Sequence, residues 1–136
     1  HAISTYTGAY LSIGGMWTNN SDVTKKENFT TVDGASVLDA VAAMQILEWN
    51  YISEGATVRH VGPMAQDFYT AFALGAGETA IGTIDADGIA LAAIQELAVR
   101  NEALRETNEA LSEKVTNLEG RLAALERLLT KPVKLP

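Results

Sequence analysis

The chain has no cysteine and only two histidines, His1 and His60. Without thiolates, and with so few imidazoles, the usual ligand sets for zinc, copper and iron–sulfur centres cannot be assembled. No metal site and no cofactor are expected, and the missing cysteines leave the redox compartment open. Basic residues are scarce as well: 10 Lys and Arg stand against 17 Asp and Glu, for a net charge of -7. No basic patch exists to neutralise phosphates, which argues against a nucleic-acid partner. No apolar run approaches the roughly 20 residues of a membrane span, so no membrane partner is expected. The amino terminus also lacks the basic-plus-apolar pattern of a secretory signal. The chain begins with His1 rather than Met and reads as a fragment of something longer, with any targeting signal upstream.

What the chain does have is a heptad repeat. With Ile94 at position a, the a series is Ile94, Asn101, Asn108, Val115, Leu122 and Leu129, and the d series is Leu97, Leu104, Leu111, Leu118 and Leu125. The only polar members are Asn101 and Asn108, both at a, where a polar side chain fixes register and partner number at some cost in stability. A helix over 94–129 would be roughly 54 Å long at 1.5 Å per residue, far more than so small a chain can wrap, so the chain reads as one protomer of an oligomer. Arg121 at g and Glu126 at the following e bracket Leu122 and Leu125, and Lys114 and Glu119 repeat that relation one heptad earlier. This spacing resembles the short trimer-specifying motif of parallel coiled coils. Val115 and Asn at a with Leu at d are choices that favour two strands. The expectation is a parallel homotrimer.

About ninety residues remain for one small domain, enough for a modest core that leans on its oligomer partners. Residues 2–17 read as β structure, with Gly8, Gly14 and Gly15 as turn points. Residues 18–24 form a polar loop, and Thr24-Lys25-Lys26-Glu27 has capping-box spacing that opens a short helix. A helix is expected from Gly34 or Ser36 to Met44, a strand over 46–52 pairing with 58–61, and a second helix over 64–74 broken by Gly75-Ala76-Gly77. Thr83 to Gly88 read as a helix start, where Asp85 or Asp87 can cap and also favours the positive end of the dipole, and the long helix follows from Ile89. Gly120 falls at an exposed f position, and Pro132 and Pro136 stop the helix. The fold class is therefore α+β: a small mixed head domain followed by a long C-terminal helix in a parallel trimeric coiled coil.

Three candidate motifs have plainer readings. Asp85-Ala86-Asp87-Gly88 lacks the third ligand before the glycine and the distal Glu of a calcium loop, and serves better as a helix cap. Gly75-Ala76-Gly77-Glu78-Thr79-Ala80 matches a relaxed dinucleotide fingerprint, but outside a βαβ unit it is a turn. His60 with Asp67 and a serine is a poor triad, because a lone histidine in a strand-like segment is more often simply packed. Ser21-Asp22-Val23-Thr24-Lys25-Lys26 supports two readings: a polar loop entering a capped turn, or a Ser–Lys dyad in which Lys26 deprotonates Ser21. A lysine works as a base near neutral pH only when its pKa falls from about 10.4 to about 7–8, which requires desolvation. A trimer interface could supply it.

Four blocks carry a family resemblance: Ser21-Asp22 with Lys26-Glu27-Asn28; Trp49-Asn50-Tyr51; His60-Val61-Gly62-Pro63-Met64-Ala65-Gln66-Asp67; and Thr83-Ile84-Asp85-Ala86-Asp87-Gly88-Ile89 running on to Leu97. In this order they resemble the C-terminal intramolecular chaperone domain that ends phage tail spikes and tail fibres of the endosialidase type and many bacterial tail-fibre proteins. The resemblance implies a domain that trimerises, assists folding of an upstream fibre of the same polypeptide, and releases itself in a single-turnover serine autoproteolysis. Carried over, the scissile bond is Asn20–Ser21, Ser21 the nucleophile, Lys26 its base, and Asp22 a supporting residue that shapes the turn. It further implies residues 1–20 as the end of the client stem, 21–88 as the chaperone head, 89–131 as the trimerisation helix and 132–136 as a tail. The setting would be a phage tail fibre or spike precursor assembled in the host cytoplasm, or a bacterial prophage or cell-surface fibre. The alternative is a structural trimerisation cap that never cleaves, a reading kept by Val23, which stands where the family usually has a basic residue. A receptor-binding fibre tip is less favoured, since few exposed aromatics suggest a pocket.

Overall fold

The computed structural model describes residues 3–131; the expected tail 132–136, with its two prolines, and the first two residues of the expected stem lie outside them. The chain divides into two compact units, 1–94 and 95–136.

The first unit opens with three two-residue strands, β1 (Ile3–Ser4), β2 (Tyr10–Leu11) and β3 (Trp17–Thr18). They pair as an antiparallel meander, Ile3 opposite Leu11 and Leu11 opposite Trp17. The strands start at residues 3, 10 and 17, an even spacing of seven, and the two turns between them are built alike. Thr5 N–H donates to the Ala9 carbonyl and Ser12 N–H to the Met16 carbonyl, both at 2.8 Å. Gly8 and Gly15 occupy the left-handed region at φ +89° and +83°, which costs glycine least.

A three-residue 3-10 turn (Val23–Lys25) follows, capped by Asp22. This corrects the expected capping box at Thr24: the cap lies two residues earlier, and the segment closes after one turn. Helix α1 (Gly34–Ala43) is capped by Asp33, whose carboxylate accepts from Ala35 N–H, and Met44 is its C-cap. Strands β4 (Leu47–Trp49) and β5 (His60–Gly62) pair antiparallel, Trp49 opposite His60, so they are shorter than the segments expected. Helix α2 (Ala65–Phe72) ends at Ala73, which turns left-handed at φ 51°; the stop precedes the glycines expected to break it.

Helix α3 (Thr83–Leu129, 47 residues) starts six residues before Ile89. Asp85 and Asp87 are therefore not caps but lie inside the helix, and the Gly82 carbonyl accepts from Asp85 and Ala86 N–H at 3.1 and 3.0 Å. Acidic residues in a first turn favour the positive end of the helix dipole, which draws the helix start back across Gly88.

The core joins α1, α2 and the beginning of α3. Val37, Phe68, Ile89 and Ala93 are buried, with Leu38, Val41, Met44, Phe72, Ile81 and Ala92 packed around them. Phe68, 4% exposed, meets Phe72 edge to face at 5.0 Å. The spacing of Ile89 and Ala93 puts both on one face of α3, and burying that face fixes the start of the helix against the head.

The second unit is the remainder of α3. Its apolar heptad positions, from Leu97 at 48% to Leu129 at 85%, are exposed in the single chain. Ion pairs line the rest: Arg100 to Glu96 at 3.0 Å, and Arg105 to Glu102 and Glu109 at 2.6 and 2.9 Å. Among the described residues no helix is long and apolar enough to cross a membrane.

Candidate functional site

One turn of chain brings Ser21 and Lys26 side by side. The Asp22 carboxylate accepts from Thr24 N–H at 2.8 Å and from its hydroxyl at 2.9 Å. The turn then closes through Lys25 N–H to the Asp22 carbonyl and Lys26 N–H to the Val23 carbonyl. The backbone folds back on itself, and Lys26 Nζ donates to Ser21 Oγ at 2.7 Å. The Thr24 backbone N–H first, and its hydroxyl second, hold the Asp22 carboxyl below its ordinary value. Asp22 is thus an ionised cap, and its bonds go to the turn that carries the lysine. Two residues beyond Lys26, Asn28 adopts φ 56°, a left-handed conformation that asparagine tolerates better than most residues.

The bond between Asn20 and Ser21 lies within a second small device. Asn20 Oδ1 accepts from Asp22 N–H at 3.0 Å, an Asx turn that straddles the bond. The Asn20 side chain also sits directly over Gly8: a Cβ there would lie 2.7 Å from Asn20 Nδ2. Ser21, Asp22 and Lys26 are all solvent-exposed in the single chain. A nucleophile and a base within hydrogen-bond reach satisfy the geometric condition for covalent catalysis. The electrostatic condition, a dry environment for the amine, has to come from a covering surface.

Three residues of the second and third blocks form an aromatic cluster. The Trp49 ring lies 4.8 Å from both Tyr51 and His60, and Tyr51 lies 5.4 Å from His60. His60 Nε2 pairs with Glu54 at 2.9 Å, while Arg59 binds the Glu48 carboxylate at 2.7 Å and Asn50 at 2.9 Å. The described contacts of His60 are thus with ring neighbours and Glu54.

Neither Asn19 nor Thr83 was picked out as a site residue in the sequence. Trp17 Nε1 donates to Asn19 Oδ1 at 2.9 Å, and Asn19 Nδ2 donates to Thr83 Oγ1 at 3.1 Å. The repeat of Thr5, Ser12 and Asn19, each directly after a short strand, is visible in the sequence and could have marked Asn19. Thr83 stood in the sequence only as the first residue of the fourth block, with nothing local to pair it with Asn19.

An α+β head followed by a long heptad-bearing helix, with a serine–lysine pair on a capped turn at the end of a β-meander, is the class of protein that fold and site define. Residues 21–74 match the family model described as the chaperone of endosialidase. The match begins at Ser21 and takes in the serine–lysine turn, α1, both strands of the second sheet and α2. No curated protein matches the chain.

Proposed function

We propose that the chain is a C-terminal intramolecular chaperone that trimerises along Ile94–Leu129, assists folding of an upstream fibre or spike, and then releases itself at Asn20–Ser21. The observation that carries this reading is the 2.7 Å contact between Lys26 Nζ and Ser21 Oγ at the first residues of the matched segment. On this reading residues 1–20 are the end of the client stem, 21–88 the head and 89–131 the assembly helix.

Trimerisation is supported by the uncovered seam and by its charges. In a parallel arrangement Lys114 faces Glu119 and Arg121 faces Glu126 across neighbouring helices. Arg100 and Arg105, which would meet as like charges at the same g and e positions, are engaged by Glu96, Glu102 and Glu109 of their own chain. A β-rich client with mostly non-local contacts folds slowly, and a C-terminal trimer raises the local concentration of the three chains and sets their register.

The reaction balances without a cofactor. Lys26, as the neutral amine, takes the Ser21 hydroxyl proton while Oγ bonds to the Asn20 carbonyl carbon. The Asn20 C–N bond breaks, the Ser21 nitrogen receives the proton and becomes a free amine, and Asn20 is left as an ester on Oγ. Water then hydrolyses the ester, leaving an Asn20 carboxylate and the restored Ser21 hydroxyl. Exposure of the pair in one chain makes assembly the step that desolvates the lysine. Such a fibre belongs to a phage tail or to a related bacterial surface.

The test compares the wild-type chain with Ser21→Ala by denaturing gel and intact mass. Wild type should separate at Asn20–Ser21 and the variant should stay whole. A folded, trimeric wild type that remains uncleaved would leave the structural cap as the function.

A further inference from the structure

We propose that Asn19 and Thr83 act as positioning residues for the Asn20–Ser21 bond, a clamp that ties the last stem strand to the first residue of the seam helix; this rests on the self-cleavage reading above. The stem repeat shows what is unusual at Asn19. After β1, the Thr5 hydroxyl binds the Ala9 carbonyl of its own turn at 3.2 Å, and after β2, Ser12 Oγ accepts from Met16 N–H of its own turn at 3.0 Å. Asn19 holds the same place after β3, yet its amide donates outside the meander, to Thr83 at 3.1 Å. The third turn of the repeat is replaced by the segment that contains the scissile bond.

The orientation of that amide is determined. An indole N–H can only donate, so the atom facing Trp17 at 2.9 Å is the Asn19 oxygen and the one facing Thr83 is its nitrogen. At the far end, Thr83 is the first residue of α3, whose Ile89 and Ala93 lie in the head core. The residue before the bond is fixed as well, since Asn20 rests on Gly8 and its oxygen is held by Asp22 N–H. Two consecutive side chains thus restrain the acyl side of the bond, one through the first stem turn and one through the helix that builds the seam. A restraint of this kind holds a near-attack geometry, in which a displacement of about 1 Å costs on the order of 100-fold in rate.

The experiment follows cleavage of the full chain by intact mass after pulse synthesis, across pH, for wild type, Thr83→Val, Thr83→Ser and Trp17→Phe, with light scattering and thermal melting alongside. Thr83→Val keeps the shape but loses the acceptor and should slow cleavage about 10- to 100-fold, with unchanged assembly and melting. Thr83→Ser restores the oxygen and should recover most of the rate. The midpoint of the pH profile should stay put in all variants, because the clamp sets geometry and Lys26 is untouched. Trp17→Phe removes the donor without altering the helix and should slow cleavage several-fold, which keeps the test sound if Thr83→Val fails to fold. Thr83→Val or Trp17→Phe cleaving at the wild-type rate overturns the clamp alone, as does Thr83→Ser falling with Thr83→Val. An intact wild-type chain overturns the clamp and the self-cleavage reading together.

Discussion

The head and the helix beyond it bury apolar surface in opposite ways. The head is stabilised from within, by Val37, Phe68, Ile89 and Ala93 closing on one another. From Asn101 to Lys131 every residue of the chain is exposed, and the leucines there have no partner surface of their own. Helices in proteins owe little to propensity and much to the packing of an apolar face. On the proposed function the second region is written for other copies of the chain, the first for itself. In the proposed function this difference becomes a division of labour: the head would carry the reacting side chains, and assembly of the helix would determine when they are covered.

That contrast can be broken most sharply from the helix side. Replacing Leu118 and Leu125 together by Asp puts charge at two adjacent d positions, and should abolish assembly by light scattering and, with it, cleavage by intact mass. Full cleavage by a monomeric variant would separate the chemistry from the seam. Phe68→Ala should strike the other region instead, costing about 3–5 kcal/mol of head stability, read as an early unfolding transition while the helical signal of the seam persists. A single transition, unchanged from wild type, would show that Phe68 adds nothing to a separate core. Gly120→Ala, at an open f position, should stabilise the helix by about 1 kcal/mol per chain and raise the seam's melting temperature without altering the head.

The smallest effect concerns pH. Asp22 is held below its ordinary pKa by the Thr24 N–H and hydroxyl, and Asp33 by Ser36 and Ala35. A carboxyl whose folded pKa lies below its unfolded one stabilises the fold above the unfolded value, about 3.9, and loses that contribution as pH falls through the folded value. The head's melting temperature should therefore decline below about pH 4, and Asp33→Asn should flatten that decline. An identical decline in the variant would assign it to other groups.

The sequence was most legible where a period repeats. Leu97 to Leu129 announce their helix because each heptad restates the same face, and a family motif marked Ser21 and Lys26 at a spacing a single capped turn can close. Boundaries were harder to read. Asp85 and Asp87 suit a cap and a first turn equally well, and the bonds of Asp85 and Ala86 N–H to the Gly82 carbonyl place them inside the helix. The seven-residue stem repeat was present in Thr5, Gly8, Ser12 and Gly15, but strands of two residues are too short to register as alternation. The Asn19–Thr83 bond joins residues 64 positions apart, and no local pattern encodes such a pairing.

The glycine beneath Asn20 limits how far this module can be moved. A foreign stem joined directly before Ser21 would lose Asn20, and one joined a little further upstream would need a turn that leaves the same space open at the place of Gly8. Any methyl group there meets the Asn20 amide at 2.7 Å. The boundary for transplanting the module is consequently not the bond it is proposed to cut, but the first hairpin of the meander, which has to travel with it.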